Sequence, residues 1–183
     1  MAAKNWWLFS IVGALGVVAY MGRNQLASVM IDNEDALANS NVQAFLAMIR
    51  KFESNGRYDV IYGGQRFADF SKHPNVRIPF TNPKTGKSDY STAAGAYQFN
   101  YPTWNYVLSL AGSGDFSPAS QDNACVWLLK VIGALEPIMQ GDFETGIRLA
   151  SQRWASLPYT DSMQNHVSLA AAKAVYLENG GTA

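Results

Sequence analysis

Apolar and polar positions fall into distinct textures along the chain, and each predicts a different kind of element. The first, Asn5 to Gly22, carries no charged residue and lies between Lys4 and Arg23. About 18 residues at about 1.5 Å each make a helix of roughly 27 Å, long enough to cross a hydrocarbon core. Trp6, Trp7 and Tyr20 stand where interfacial aromatics belong. Residues 1–23 are therefore read as an uncleaved transmembrane anchor. A cleaved secretory signal shares the charged start and apolar run, but no small-x-small site follows promptly. Lys4 favours a cytoplasmic start, which puts the remainder on the periplasmic side of an inner membrane, or in the membrane of a membrane-containing virion; Arg23 weakens that bias. Residues 24–40, with Asp32, Glu34 and Asp35, read as a linker or a continuing helix, and 41–183 as one catalytic domain.

Within that domain the signals sharpen. Ser40-Asn41-Val42-Gln43 fits a capping box, and Val42, Phe45, Leu46, Ile49, Phe52 and Glu53 follow at helical spacing until Ser54-Asn55-Gly56 ends the helix. Two β-prone runs, Tyr58 to Tyr62 and Gln65 to Phe67, flank Gly63-Gly64, a dipeptide suited to a hairpin turn. Ser71 to Thr92, rich in Pro, Asn, Gly, Lys and Ser, predicts an exposed loop or a further irregular strand. Helical spacing returns over Thr103 to Ala111, from Ser117-Pro118 to about Leu135, over Phe143 to Ser156, and over Gln164 to Glu178. The pattern is α+β: helices with one small hairpin.

Composition narrows the function. Fourteen basic residues balance fourteen acidic ones in 183, which leaves no net field to draw in nucleic acid. A single cysteine, Cys125, excludes an internal disulfide and a thiolate zinc cluster, and it reads as an inert buried thiol. His73 and His166 lie far apart without an HExxH arrangement, so no metal site is supported. No glycine motif for a nucleotide is present, and no cofactor is implied.

Glu53 is the anomaly, since the apolar stripe through Leu46 and Ile49 continues onto it. Burial and the negative end of a helix both disfavour a carboxylate, so each raises the pKa of a glutamate in that position. A carboxyl that stays protonated can donate its proton to a glycosidic oxygen, the step such a bond needs before it breaks. Spacing alone also fits a Glu53 that merely caps or salt-bridges a helix end.

Longer blocks decide between these. They are Phe45-Leu-Ala-Met-Ile through Glu53, Tyr58-Asp-Val-Ile with Gly63-Gly64, and Phe67-Ala-Asp-Phe-Ser with His73-Pro74. Asn82-Pro83-Lys84, Gly95-Ala-Tyr-Gln98, Asp115-Phe-Ser-Pro with Ser120-Gln-Asp122, and Trp154-Ala-Ser-Leu-Pro158 follow in order. From Phe45 to Gly181 the chain closely resembles the bacteriophage lambda lysozyme family of lytic transglycosylases, endolysins that cut peptidoglycan. The resemblance implies a lysozyme-like α+β fold, a glycan cleft between a hairpin lobe and a helical lobe, and Glu53 at the catalytic position. It also implies a reaction at the bond between N-acetylmuramic acid and N-acetylglucosamine, with a 1,6-anhydro product. Hydrolysis of the same bond, and a glycan-binding virion component without turnover, are the alternatives.

Among nearby acids, Asp59 and Asp69 fall in matched blocks and orient substrate or Glu53 under this reading, or serve structure or solvent; Asp89 lies outside the blocks. Tyr97 and Gln98 suit sugar binding, by ring stacking and by pairing with an acetamido group, against a core role for the tyrosine. Trp154 lines the cleft or fills the core, and Tyr62 carries a weaker signal still. The Glu53–Tyr58 segment looks shorter than the family's and the Pro74–Thr92 loop longer. Both border the implied cleft.

Overall fold

The structure, a computed structural model, describes residues 32–81, 86–111, 114–160 and 166–182. The expected anchor, residues 1–23, lies outside them. Among the described residues no helix is long and apolar enough to cross a membrane.

The first described helix, α1 (Asn33–Ala38), begins at Asp32, whose carboxylate accepts from the Glu34 N–H at 2.7 Å. Ala36 is fully buried, so the end of the segment expected as a linker is a packed piece of the domain. Helix α2 (Ser40–Ser54) is central. Its cap is Asn39, one residue before the expected Ser40: the Asn39 side chain accepts from the N–H groups of Asn41 and Val42 at 2.9 and 3.2 Å. Asn and Ser cap equally well, so their order in the sequence could not separate them. Gln43 reaches Leu37 O at 2.7 Å in place of closing a capping box. The stripe of Val42, Phe45, Leu46 and Ile49 is fully buried, with Ala44 and Met48 beside it.

Gly63 and Gly64 take φ values of +85° and +89°, as a tight turn requires. The flanking runs form only an isolated bridge between Val60 and Arg66, not a regular hairpin. The regular strands lie in the stretch read as a loop: β1 (Ile78–Thr81) pairs antiparallel with β2 (Ser88–Ser91), Ile78 opposite Ser91. Ile61 bridges to Ala94, and Ala94 to Phe99, which ties this lobe to the segment before α3 (Tyr101–Ala111).

Helix α4 (Pro118–Val131) has Ser117 as cap and stops before Gly133 (φ +72°); the short α5 (Leu135–Met139) follows. Helix α6 (Phe143–Ala150) ends six residues before the expected Ser156. There the Ser151 hydroxyl takes the carbonyls of Ile147 and Pro158, which folds residues 151–160 into turns. Helix α7 (Leu169–Glu178) starts at the Ser168 cap, not at Gln164, a residue outside the described ones.

Two aromatic groups organise the core. Phe45 of α2, Phe143 of α6 and Tyr176 of α7 meet with ring centroids 4.8–6.3 Å apart. Phe116 receives Trp104 edge-on at 4.6 Å and His73 at 4.7 Å. His73 is structural: its Nδ1 accepts from Asn75 N–H at 3.0 Å, so its Nε2 is the donor to Phe99 O at 2.8 Å. At the opposite end, buried Asn41 accepts from Thr182 N–H at 2.8 Å and donates to Met139 O at 3.3 Å.

Candidate active site

Glu53 occupies the last turn of α2. The helix is closed just beyond it by Asn55 and Gly56, with φ values of +55° and +81°, and by a bond from Gly56 N–H back to Arg50 O at 2.9 Å. This termination stops the helix one residue past Glu53 and so fixes where its carboxyl stands. The carboxyl borders a cleft of about 300 Å³ lined by Ser54, by Val60 to Gly64, and by Gln98. Helix end and glycine turn are its two walls. Glu53 is the one carboxylate among those lining residues.

Burial pushes the Glu53 carboxyl above the usual carboxylate range, and hydrogen bonds from Ser156 oppose that rise. The hydroxyl of Ser156 donates to Glu53 Oε1 across 103 residues of sequence. Ser156 lay in a matched block but carried no recognisable signal, because a lone serine in a turn has no periodicity. At the helix terminus, then, stands a half-buried acid whose pKa burial raises, facing an open cleft.

The other expected site residues are placed differently. Gln98 does line the cleft, with φ +49° and its amide donating to Gly95 O at 2.9 Å and Val60 O at 3.4 Å. Tyr62 joins it there, 36% exposed, its ring 5.9 Å from that of Phe80 on β1. Tyr97 is only 1% exposed and Trp154 only 4%, so neither ring offers a face for a sugar to stack on. Both take the core role: Trp154 Nε1 donates to Tyr97 O at 3.1 Å, and the Tyr97 hydroxyl donates to Asp122 at 2.5 Å. Asp122 also accepts from Tyr58 at 2.9 Å and pairs with Arg50 at 3.3 Å. This hub, which spacing did not announce, joins α2, the hairpin lobe, the Gly95–Gln98 turn and α4.

Asp59, Asp69 and Asp89 are all absent from the lining of the Glu53 cleft. Asp59 is ion-paired with Arg66 and, at 3.6 Å, with Arg57; the Arg66 hydrogen bond holds its carboxyl below the usual range. Asp69 accepts from Ser71 N–H at 2.8 Å, which lowers its carboxyl on a solvent-facing loop. Asp89 accepts from the N–H of its neighbour Tyr90 at 2.7 Å. Burial pushes the Cys125 thiol well up, so it stays protonated.

A half-buried acid at a helix C-terminus, set against a glycine turn in a mainly helical scaffold with one small antiparallel hairpin, defines a lysozyme-like enzyme. The chain belongs to the endolysin family, whose pattern matches residues 35–183, and it is a peptidoglycan-lytic enzyme. It is 38% identical to the endolysin of Escherichia phage lambda over 153 residues, 79% of this chain and 94% of that one. To the endolysin of Escherichia phage P2 it is 33% identical over 156 residues, 78% and 94% of the two chains. The solved structure of bacteriophage lambda lysozyme complexed with a chitohexasaccharide matches with a TM-score of 0.71 at 38% identity, over 79% of this chain and 96% of that one.

Proposed function

We propose that the protein is a lytic transglycosylase that cuts the β-1,4 bond between N-acetylmuramic acid and N-acetylglucosamine and leaves a 1,6-anhydro-muramic acid end. The observation that carries this reading is the single carboxylate among the residues lining the cleft, Glu53, whose pKa burial raises. Protonated Glu53 gives its proton to the bridging oxygen as the muramic acid C1–O bond breaks. The resulting carboxylate takes the proton of the same sugar's C6 hydroxyl as that oxygen closes on C1. Intramolecular attack needs no second carboxylate and no activated water, because the nucleophile is already held beside the reacting carbon. A chitohexasaccharide bound to the lambda lysozyme fits this reading, since an extended chain of N-acetylated sugars is what an open cleft accepts.

Digestion of purified sacculi in oxygen-labelled water, followed by mass spectrometry, tests the reaction. The expected muropeptides are one water lighter than reducing-end products and carry no label. Labelled reducing ends would replace this reading with hydrolysis.

Residues 1–23 hold the enzyme at the inner membrane, with the catalytic domain on the periplasmic side. What supports this is their uncharged apolar sequence between Lys4 and Arg23. Intact-mass measurement on fractionated cells should find the full chain with the membranes; a mature form lacking about the first 20 residues would refute the anchor.

A further inference from the structure

Glu53 does not stand alone in its cleft wall. The turn that follows α6 delivers the Ser156 hydroxyl to Glu53 Oε1, and that turn is secured on both sides. Trp154, 4% exposed, is pinned through its indole N–H to Tyr97 O at 3.1 Å, and Leu157 is fully buried. Leu157 N–H bonds back to Trp154 O at 3.2 Å, and Ser156 O accepts from Val167 N–H at 2.9 Å. A serine between two buried anchors, with its backbone carbonyl engaged, has its side chain aimed by the fold.

We infer that Ser156 is a positioning residue that keeps the Glu53 proton on Oε2 and steadies the carboxylate formed when that proton leaves. The inference rests on Glu53 acting as the acid. An oxygen that already accepts a hydrogen bond is the poorer seat for a proton, so engagement of Oε1 directs the proton to Oε2. Once the proton passes to the glycosidic oxygen and the C1–O electron pair leaves with it, the same Ser156 bond becomes charge-assisted and strengthens. Ser156 keeps its own proton throughout. Glu53 regains one from the C6 hydroxyl, or from water if the reaction is hydrolytic, so the role does not depend on which product forms.

Two opposed influences then set the acid: burial raises its pKa and Ser156 lowers it. Other titratable groups nearby are Cys125 of α4, which feels the Glu53 charge, and the Arg50–Asp122 pair with Tyr58 and Tyr97. Arg153 precedes Trp154 on the serine's own turn. Burial and Ser156 are the influences that register on Glu53.

Ser156→Ala and Ser156→Thr test the inference, with two readouts. On soluble glycan strands, Ser156→Ala should lower kcat roughly tenfold with KM unchanged, and the alkaline limb of the kcat profile should move to higher pH. Threonine, which keeps the hydroxyl, should restore both. Infrared titration of the Glu53 carboxyl, assigned by its disappearance in Glu53→Gln, should show a higher midpoint in Ser156→Ala, with no need for turnover. A lower kcat with limb and midpoint unmoved would reduce Ser156 to a packing residue and overturn the inference, as would an unchanged enzyme. Full activity of Glu53→Gln would instead remove the acid itself, a separate failure.

Discussion

Replacing Glu53 by glutamine should lower glycan cleavage by roughly 100- to 10,000-fold, the usual contribution of a positioned general acid. The amide matches the carboxyl in shape and still accepts from Ser156, but it can neither give nor recover the proton. Thermal stability should move the other way, and its sign follows from linkage. Because the folded state raises the Glu53 pKa above its unfolded value, the stability that Glu53 contributes is fully present below the unfolded pKa and is lost as pH rises through the folded one. Glutamine does not titrate. Melting curves across pH should therefore show the variant gaining on the parent as pH rises, and matching or exceeding it at neutrality. An inactive variant that melts earlier at neutral pH would mean that the fold, not the acid, had been lost.

The second large effect belongs to Asp122. Alanine there leaves Arg50 and the hydroxyls of Tyr58 and Tyr97 without the acceptor they share. Loss of one partner from a largely buried charged cluster costs about 2–4 kcal/mol, and urea unfolding should report a loss of that size. Activity should fall as well, because the hub fixes Tyr97, whose neighbour Gln98 lines the cleft, and Tyr58, which leads into the Val60–Gly64 wall. Unchanged stability would show that water takes the place of the carboxylate.

The acid was legible in the sequence because helices write their buried face at a fixed period, and Glu53 broke that face with a carboxyl. The Gly63-Gly64 turn was legible for a similar reason, since positive φ at two successive positions selects glycine. The strands β1 and β2 left no such trace. β1 half-buries only Ile78 and Phe80, and β2 is exposed up to the half-buried Ser91, so no sustained apolar period marked them as strands. Tyr97 and Trp154 were ambiguous because an aromatic ring suits a sugar and a core equally well, and only tertiary burial separates the two. Ser156 and Asp122 were hidden for another reason: each acts through partners dozens of residues away, and spacing along a chain records only neighbours.

Asn41 ties the start of the catalytic helix to Thr182, and Phe45, one turn further along the same helix, packs against Tyr176 of α7. A nascent chain that has not yet reached residues 169–182 thus lacks the surface against which α2 settles. Such distant pairing delays folding relative to contacts made nearby. During synthesis the acid at the end of α2 therefore gains its geometry only once residues 169–182 have been made. Truncated or stalled translation products should accordingly be harmless to the wall of the cell that makes them.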